Sequence, residues 1–250
     1  FMSETHSGAE KFETEENRAS FHARLNRLGY SRGDDTFEKM DAAYDFSKEA
    51  HRPQARKTGE RYFEHPRSVA LILLDECKIK DPNTIIASLL HDSVEDSPLF
   101  ANRTQPPSQW EQIAHKRLSA QFNHEVAGVV ISLTKPTEDG KELKTKEEAH
   151  DYYLKNLTGL SESENAKILL VKMADRLHNL RTSINLEDER KDKIIKETEK
   201  DYFPLFESFW SKYDTSKDKD NGANFASAGQ YMLEKMKEQV ETLRASMAIV

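Results

Sequence analysis

One stretch limits the folds open to this chain more than any other. Ile85-Ile86-Ala87-Ser88-Leu89-Leu90 is a nearly unbroken apolar run, and it leads straight into His91-Asp92-Ser93-Val94-Glu95-Asp96. Asp81-Pro82 opens the run as a helix opens. The aspartate can accept from free backbone N–H groups, and proline fits the first turn, where its missing N–H costs nothing. The predicted helix runs on to Asp96. With His91 set at zero, Glu95 lies at about 40°, Asp92 at about 100° and Asp96 at about 140° around the axis. Leu89, Ile86, Leu90 and Val94 occupy most of the rest. A largely buried helix therefore carries one imidazole and three carboxylates on one face. Buried carboxylates repel one another or take up protons unless a positive charge offsets them. A divalent cation on that face would do so. The competing reading is a solvated face, and a second acidic helix further along the chain weighs against it.

The chain has 250 residues, enough for a large core in one domain or at most two. Its 32% charged and 9% aromatic residues describe a folded globular protein, not a disordered one. The net charge of −7 argues against general nucleic-acid binding, which depends on phosphate neutralisation by Lys and Arg. A local basic pocket for a small phosphorylated ligand stays open. With one cysteine, Cys77, no disulfide can form within the chain, which fits a reducing, cytoplasmic setting. Cys77 reads as a small core residue. No segment reaches the roughly 20 apolar residues of a membrane span, and the polar, acidic start Phe1-Met2-Ser3-Glu4-Thr5 does not read as a secretory signal.

The rest of the chain reads as helices and loops, with no confident strand. Residues 1–35 form a polar extension with one short helix around Phe21, Leu25 and Leu28. Thr36 to His51 is an amphipathic helix, followed by a loop with Arg52, Arg56, Lys57 and Arg61. Pro66 is predicted to start the next helix, with His65 just before it. Ser97 to Ser108 is a turn-rich loop suited to the wall or lid of a site. Two helices follow, then a turn at Pro136–Gly140 and a charged helix over Lys141–Lys155 carrying Tyr152 and Tyr153. From Glu164 to Ile184, Leu170, Met173, Leu177, Leu180 and Ile184 form a core stripe. Lys172, Asp175, Asn179 and Thr182 form a polar one, as a cleft wall would. Asp188 to Trp210 reads as a helix kinked at Pro204. A charged linker over 211–224 precedes a packing helix over 225–250, with Met232, Met236, Val240 and Leu243 on one face.

Several of these blocks together resemble a known group. His65-Pro66, Leu90 through Asp96, and Val171-Lys172-Met173-Ala174-Asp175-Arg176-Leu177-His178-Asn179-Leu180-Arg181-Thr182 are similar to the HD-superfamily phosphohydrolases. More narrowly they resemble the hydrolase domain of the RelA/SpoT homologues, which degrade the alarmones ppGpp and pppGpp. The loop from Ala50 to Tyr62 and Ser132-Leu133-Thr134-Lys135 match as well. The resemblance covers roughly Thr36 to Pro204. Lacking synthetase and regulatory domains, the chain resembles the stand-alone small alarmone hydrolases.

The resemblance implies an all-α fold, a single HD-domain helical bundle over 36–210 with a metal site in a central cleft. It implies His65, His91, Asp92 and Asp175 as ligands of one Mn²⁺, with Zn²⁺ or Fe²⁺ compatible with the same donors. Glu95 and Asp96 would position and activate water. Arg56 and Lys57 would lie beside the nucleotide, Lys172 and Arg176 near phosphate oxygens, and Asn179 and Thr182 along the ribose and base. The implied activity is a metal-dependent 3′-pyrophosphohydrolase of (p)ppGpp. The alternatives are a related HD phosphohydrolase of adenosine alarmones or NADPH, and a non-catalytic, antitoxin-like nucleotide-binding partner. The expected partner is a small nucleotide.

Overall fold

The computed structural model describes residues 16–55, 61–135, 137, 138, 141, 142, 145, 148, 151, 155, 162–216, 218 and 224–247. Its helices are α1 (Arg18–Arg27), α2 (Asp35–Ala50), α3 (Glu64–Leu71), α4 (Pro82–Leu90), α5 (Ser93–Asp96), α6 (Pro107–Gln121), α7 (His124–Leu133), α8 (Glu162–Thr182), α9 (Asp188–Glu197), α10 (Phe203–Lys212) and α11 (Phe225–Met247). The fold is all-α, with one small exception. β1 (Thr137–Glu138) and β2 (Lys141–Glu142) pair antiparallel, Thr137 opposite Glu142 and Glu138 opposite Lys141. Lys141 therefore does not open a helix, as its sequence suggested. The overlooked signal is Asp139-Gly140 between the two pairs, a dipeptide favoured in two-residue hairpins. Tyr152 and Tyr153 lie outside the described residues.

α4 is the hub. Asp81 caps it, its Oδ2 accepting from Thr84 N at 2.8 Å and Thr84 Oγ1 at 2.7 Å, and every residue from Thr84 to Leu90 is buried. α2, α3, α7 and α8 pack around it. α2 presents Phe37, Met40, Tyr44 and Ser47 inward at three-and-four spacing. α1 joins the same core through Phe21 and Leu25, Phe21 stacking on Tyr44 with ring centroids 5.0 Å apart.

α11 covers the other side of α8. Met232, Met236, Val240 and Leu243 are buried as the spacing predicts, and they belong to the same core as α4. Where α11 crosses α10 the approach requires glycine: a Cβ on Gly229 would fall inside the indole of Trp210. The predicted kink at Pro204 takes the form of a π-helical turn, Thr198–Tyr202, joining α9 to α10. The wider turn relieves the clash a proline ring makes with the carbonyl four residues back. A second π-helical turn, Ile72–Glu76, ends α3, and Lys78 then takes a left-handed φ of 57°. This stretch is tied down from afar. Arg181 clasps Glu76 at 2.6 and 2.9 Å, Tyr231 donates to Glu76 at 2.9 Å, and Asn224 donates to the Cys77 carbonyl at 2.7 Å. Cys77 is buried, and burial pushes its thiol up to about 12, so it packs as an inert core residue. Among the described residues, no helix is long and apolar enough to cross a membrane.

Candidate metal centre and acidic pair

The helix that the sequence carried through to Asp96 is in fact broken at the functional dipeptide. α4 ends at Leu90, His91 and Asp92 form a turn, and a single helical turn, α5, resumes over Ser93–Asp96. Local polar chemistry explains the break. His91 Nδ1 lies 2.7 Å from Ser88 O, a carbonyl that a continuing helix would use, and Ser88 Oγ donates to Ile85 O at 2.7 Å. The next turn is recovered when Asp96 N–H donates to Asp92 O at 2.9 Å. His65 also departs from expectation. It lies within the first turn of α3, which starts at Glu64, so the helix itself fixes the ring.

Three elements bring the predicted ligands together. One donor atom from each of His65, His91 and Asp175 lies within 4.8 Å of the others, and all three residues are buried. His65 Nε2 is 3.1 Å from Asp175 Oδ1 and 3.7 Å from Asp92 Oδ2. His91 Nε2 is 3.2 Å from Asp92 Oδ2, off the line of a hydrogen bond, and has no hydrogen-bond partner although buried. Its Nδ1 is committed to a carbonyl acceptor, so a neutral His91 presents its lone pair at Nε2. An orphaned, correctly oriented imidazole nitrogen beside three further donors is what a cation site requires. Two imidazoles and two carboxylates suit a divalent metal.

The electrostatics agree. Burial opposes charge on His91, yet Asp92 outweighs it and pushes the imidazole up to about 9. Burial also disfavours the Asp92 and Asp175 carboxylates. His91 nevertheless holds Asp92 well below the usual carboxylate range, and Lys172 and His65 do the same for Asp175. Burial keeps His65 low and neutral. Both aspartates are thus held as anions, and a bound cation would replace the proton that Asp92 otherwise draws to His91.

The outer contacts include residues whose roles the sequence did not reveal. His178 Nδ1 lies 2.8 Å from His65 Nδ1 and fixes the ring from behind. Tyr62 donates to Asp92 Oδ2 at 3.0 Å, and its ring stacks on His51 at 4.7 Å. His51 Nδ1 is 2.8 Å from Gln54 Oε1, and Gln54 Nε2 donates to Asp96 O at 3.0 Å. All four stand inside the sequence blocks that carried the resemblance, which was their signal.

The acidic pair diverges, as consecutive residues on one helical turn do. Glu95 turns to Lys135, receiving its Nζ at 2.9 Å and its backbone N–H at 3.2 Å. Asp96 turns to the other side, its Oδ2 4.0 Å from His51 Nδ1. Burial, followed by the charges of Asp92 and Glu95, raises Asp96 to about 6.

The predicted substrate residues divide. Lys172 reaches the cluster, donating to Asp175 Oδ2 at 2.8 Å. Asn179 also reaches it, but as a donor to Asp175 Oδ1 at 2.7 Å that orients the ligand. The Thr182 hydroxyl bonds back to the carbonyls of His178 and Asn179, at 3.1 and 3.3 Å. Arg176 is not brought to the cluster. It is 6% exposed, donates to Glu197 at 2.8 Å and lies 3.9 Å over the Tyr202 ring. It shares the ladder's sequence neighbourhood but its partners lie on the α9 side of the bundle. Arg56 and Lys57 lie outside the described residues.

Comparison with known proteins places this geometry. The HD domain family model matches residues 43–207. A guanosine-3′,5′-bis(diphosphate) 3′-pyrophosphohydrolase of Aquifex aeolicus (strain VF5) is 37% identical over 168 residues, 67% of this chain and 21% of that protein. The bifunctional (p)ppGpp synthase/hydrolase SpoT of Escherichia coli (strain K12) is 31% identical over 172 residues, 69% of this chain and 22% of that protein. The chain thus spans about a fifth of the length of these curated relatives. Among solved structures, a metazoan orthologue of SpoT, described as hydrolysing ppGpp, superposes with a TM-score of 0.54 at 19% identity. The match covers 88% of this chain and 100% of the other, a likeness of fold. A family model that spans most of the chain, on residues that build a buried His-His-Asp cluster, leads to one conclusion: the chain belongs to the HD-domain family.

Proposed function

We propose that this chain is a metal-dependent 3′-pyrophosphohydrolase of (p)ppGpp, releasing pyrophosphate and GDP or GTP. One observation carries the reading. His65, His91, Asp92 and Asp175 converge from three elements around His91 Nε2, a buried nitrogen with no hydrogen-bond partner. The relatives named for this reaction supply the substrate class. The donor set suits a divalent ion such as the Mn²⁺ that the family resemblance implies, with Zn²⁺ or Fe²⁺ compatible.

His65, His91, Asp92 and Asp175 would hold the ion. When bound, it would lower the pKa of a water and shield phosphate charge. Glu95 is the base in this reading. Lys135 donates to both of its oxygens, which aims the carboxylate to take the water's proton. Asp96 would assist Glu95 in positioning the water. Lys172, with Arg56 and Lys57, would neutralise phosphate oxygens. Asn179 holds Asp175 in place, and Tyr62 holds Asp92. The setting is cytoplasmic, in keeping with the single buried thiol.

The test is pyrophosphate release from ppGpp, ppApp and NADPH side by side, with Mn²⁺ and after chelation, for wild type and Glu95→Ala. Mn²⁺-dependent release from ppGpp, lost in the variant, is the expected result. Release from ppApp, or phosphate from NADPH alone, would keep the site and replace the substrate. Metal binding without turnover of any of them would favour the non-catalytic, antitoxin-like role.

A further inference from the structure

α5 is one turn long. So short a helix has no intrahelical partners for its last carbonyls and does not support itself. Side chains from two different loops take those carbonyls. Gln54 holds Asp96 O, and Arg103 Nη1 donates to Glu95 O at 3.2 Å. Arg103 Nη2 donates to Lys135 O at 2.7 Å. Lys135 is the residue whose Nζ and backbone N–H hold the two Glu95 oxygens. One guanidinium fork therefore ties the backbone of residue 95 to the backbone of the residue that aims its carboxylate.

The loop that supplies Arg103 is itself fixed. Phe100 and Ala101 are buried, and Arg117 donates to the carbonyls of Leu99 and Phe100 at 3.4 and 3.2 Å. Arg103 lies 5.7 Å over the ring of Trp110, whose Nε1 donates to Thr137 Oγ1 at 2.9 Å, two residues past Lys135. Both hydrogen-bonding arms of Arg103 meet carbonyls, and among the described residues no carboxylate pairs with it. Packing alone does not hold Glu95, because a cavity of 280 Å³ opens beside Glu95, Asp96, Arg103 and Thr137. A displaced carboxylate has room to swing away.

We propose that Arg103 is a positioning residue for Glu95, bracing the acidic turn against Lys135. This rests on the reading of Glu95 as the base. Arg103 lies outside every sequence block that carried the family resemblance. A lysine cannot span the two carbonyls, since only a planar fork presents two donors at fixed separation.

The experiment compares wild type, Arg103→Met and Arg103→Lys. For Arg103→Met, kcat on ppGpp should fall by about 10- to 100-fold, the cost of a small misplacement of a reacting group. KM and the Mn²⁺ content should stay near wild type, and Arg103→Lys should lose less. Hydrogen–deuterium exchange should quicken at residues 95–97 and at Lys135 and Thr137, and stay unchanged in α8. A folded variant with unchanged kcat, or a loss that tracks lost Mn²⁺, overturns the proposal. If Arg103→Met fails to fold, the same readings on Arg103→Lys decide it. If wild type hydrolyses no alarmone, the functional reading fails, and the exchange pattern still judges the brace: unchanged exchange at both segments overturns it.

Discussion

Two regions supply the centre, and they do so in opposite ways. α8 is a continuous helix, and its polar ladder works by unbroken periodicity. Lys172 and Asn179 sit three residues before and four after Asp175 and hold its two oxygens separately. The α4–α5 junction works by interruption. Its helix stops at Leu90, His91 faces the cluster with Nδ1 tied to Ser88 O, and a single turn resumes at Ser93, on which Glu95 and Asp96 meet different partners. A regular helix suits ligands that need one fixed orientation. A break suits a segment that, in the proposed function, would aim a ligand and a base in different directions, and it then needs outside braces because one turn cannot hold itself.

The comparison can be broken at its strongest point first. Asp175→Ala removes a ligand and leaves Lys172 and Asn179 without their acceptor. Mn²⁺ affinity should fall by more than about 100-fold, beyond the usual effect of outer contacts, and pyrophosphate release should vanish. Calorimetric titration with Mn²⁺ reads this directly, and wild-type affinity in the variant would remove Asp175 from the ligand set. The junction's base comes next. Glu95→Gln should keep the metal and lower kcat by about 10²- to 10⁴-fold, measured at saturating substrate.

The backing of the centre should matter less. His178→Leu removes the group behind His65 and should weaken Mn²⁺ binding by about 10- to 100-fold, while His178→Asn, which retains hydrogen-bonding atoms, should recover part of it. On the rear face of α8, Trp210 donates to Met173 Sδ at 3.1 Å and Gly229 admits the indole against α11. Gly229→Ala should cost about 1–3 kcal/mol of stability through overpacking, read by urea unfolding, with Mn²⁺ affinity unchanged.

The smallest effect is expected at the far end of α8. Arg181 holds Glu76 below its ordinary pKa, chiefly through their hydrogen bonds. A depressed carboxylate stabilises the fold above its unfolded pKa and loses that contribution as pH falls through the folded one. Wild type should therefore lose stability relative to Glu76→Gln below roughly pH 4.3, the unfolded value of glutamate. Parallel unfolding curves from pH 7 to pH 3 would show the two proteins converging. Curves that stay a constant distance apart would separate the stretch from this pair.

The continuous parts of the molecule were legible in the residues. The core stripes of α2, α8 and α11 were readable because burial on a regular helix repeats every three or four residues. The four cluster residues were readable from blocks resembling a family, and the structure gathers all four. The partners of Arg176 were not legible, because its place in the block says nothing of which side of α8 its long side chain takes. It turns to Glu197 and Tyr202, more than twenty residues away in sequence.

By itself, the sequence determined that the chain is helical, that the run before His91 is largely buried, and that an imidazole and carboxylates gather on one face there. These follow from periodicity and residue chemistry, both local properties. Only the tertiary structure decided which partners Glu95 and Asp96 meet, and the roles of His178, Tyr62, Lys135 and Arg103. Each depends on hydrogen bonds between segments tens of residues apart, such as Arg103 to Lys135 or His65 to His178. No local pattern encodes where a side chain finds its partner once the core has closed.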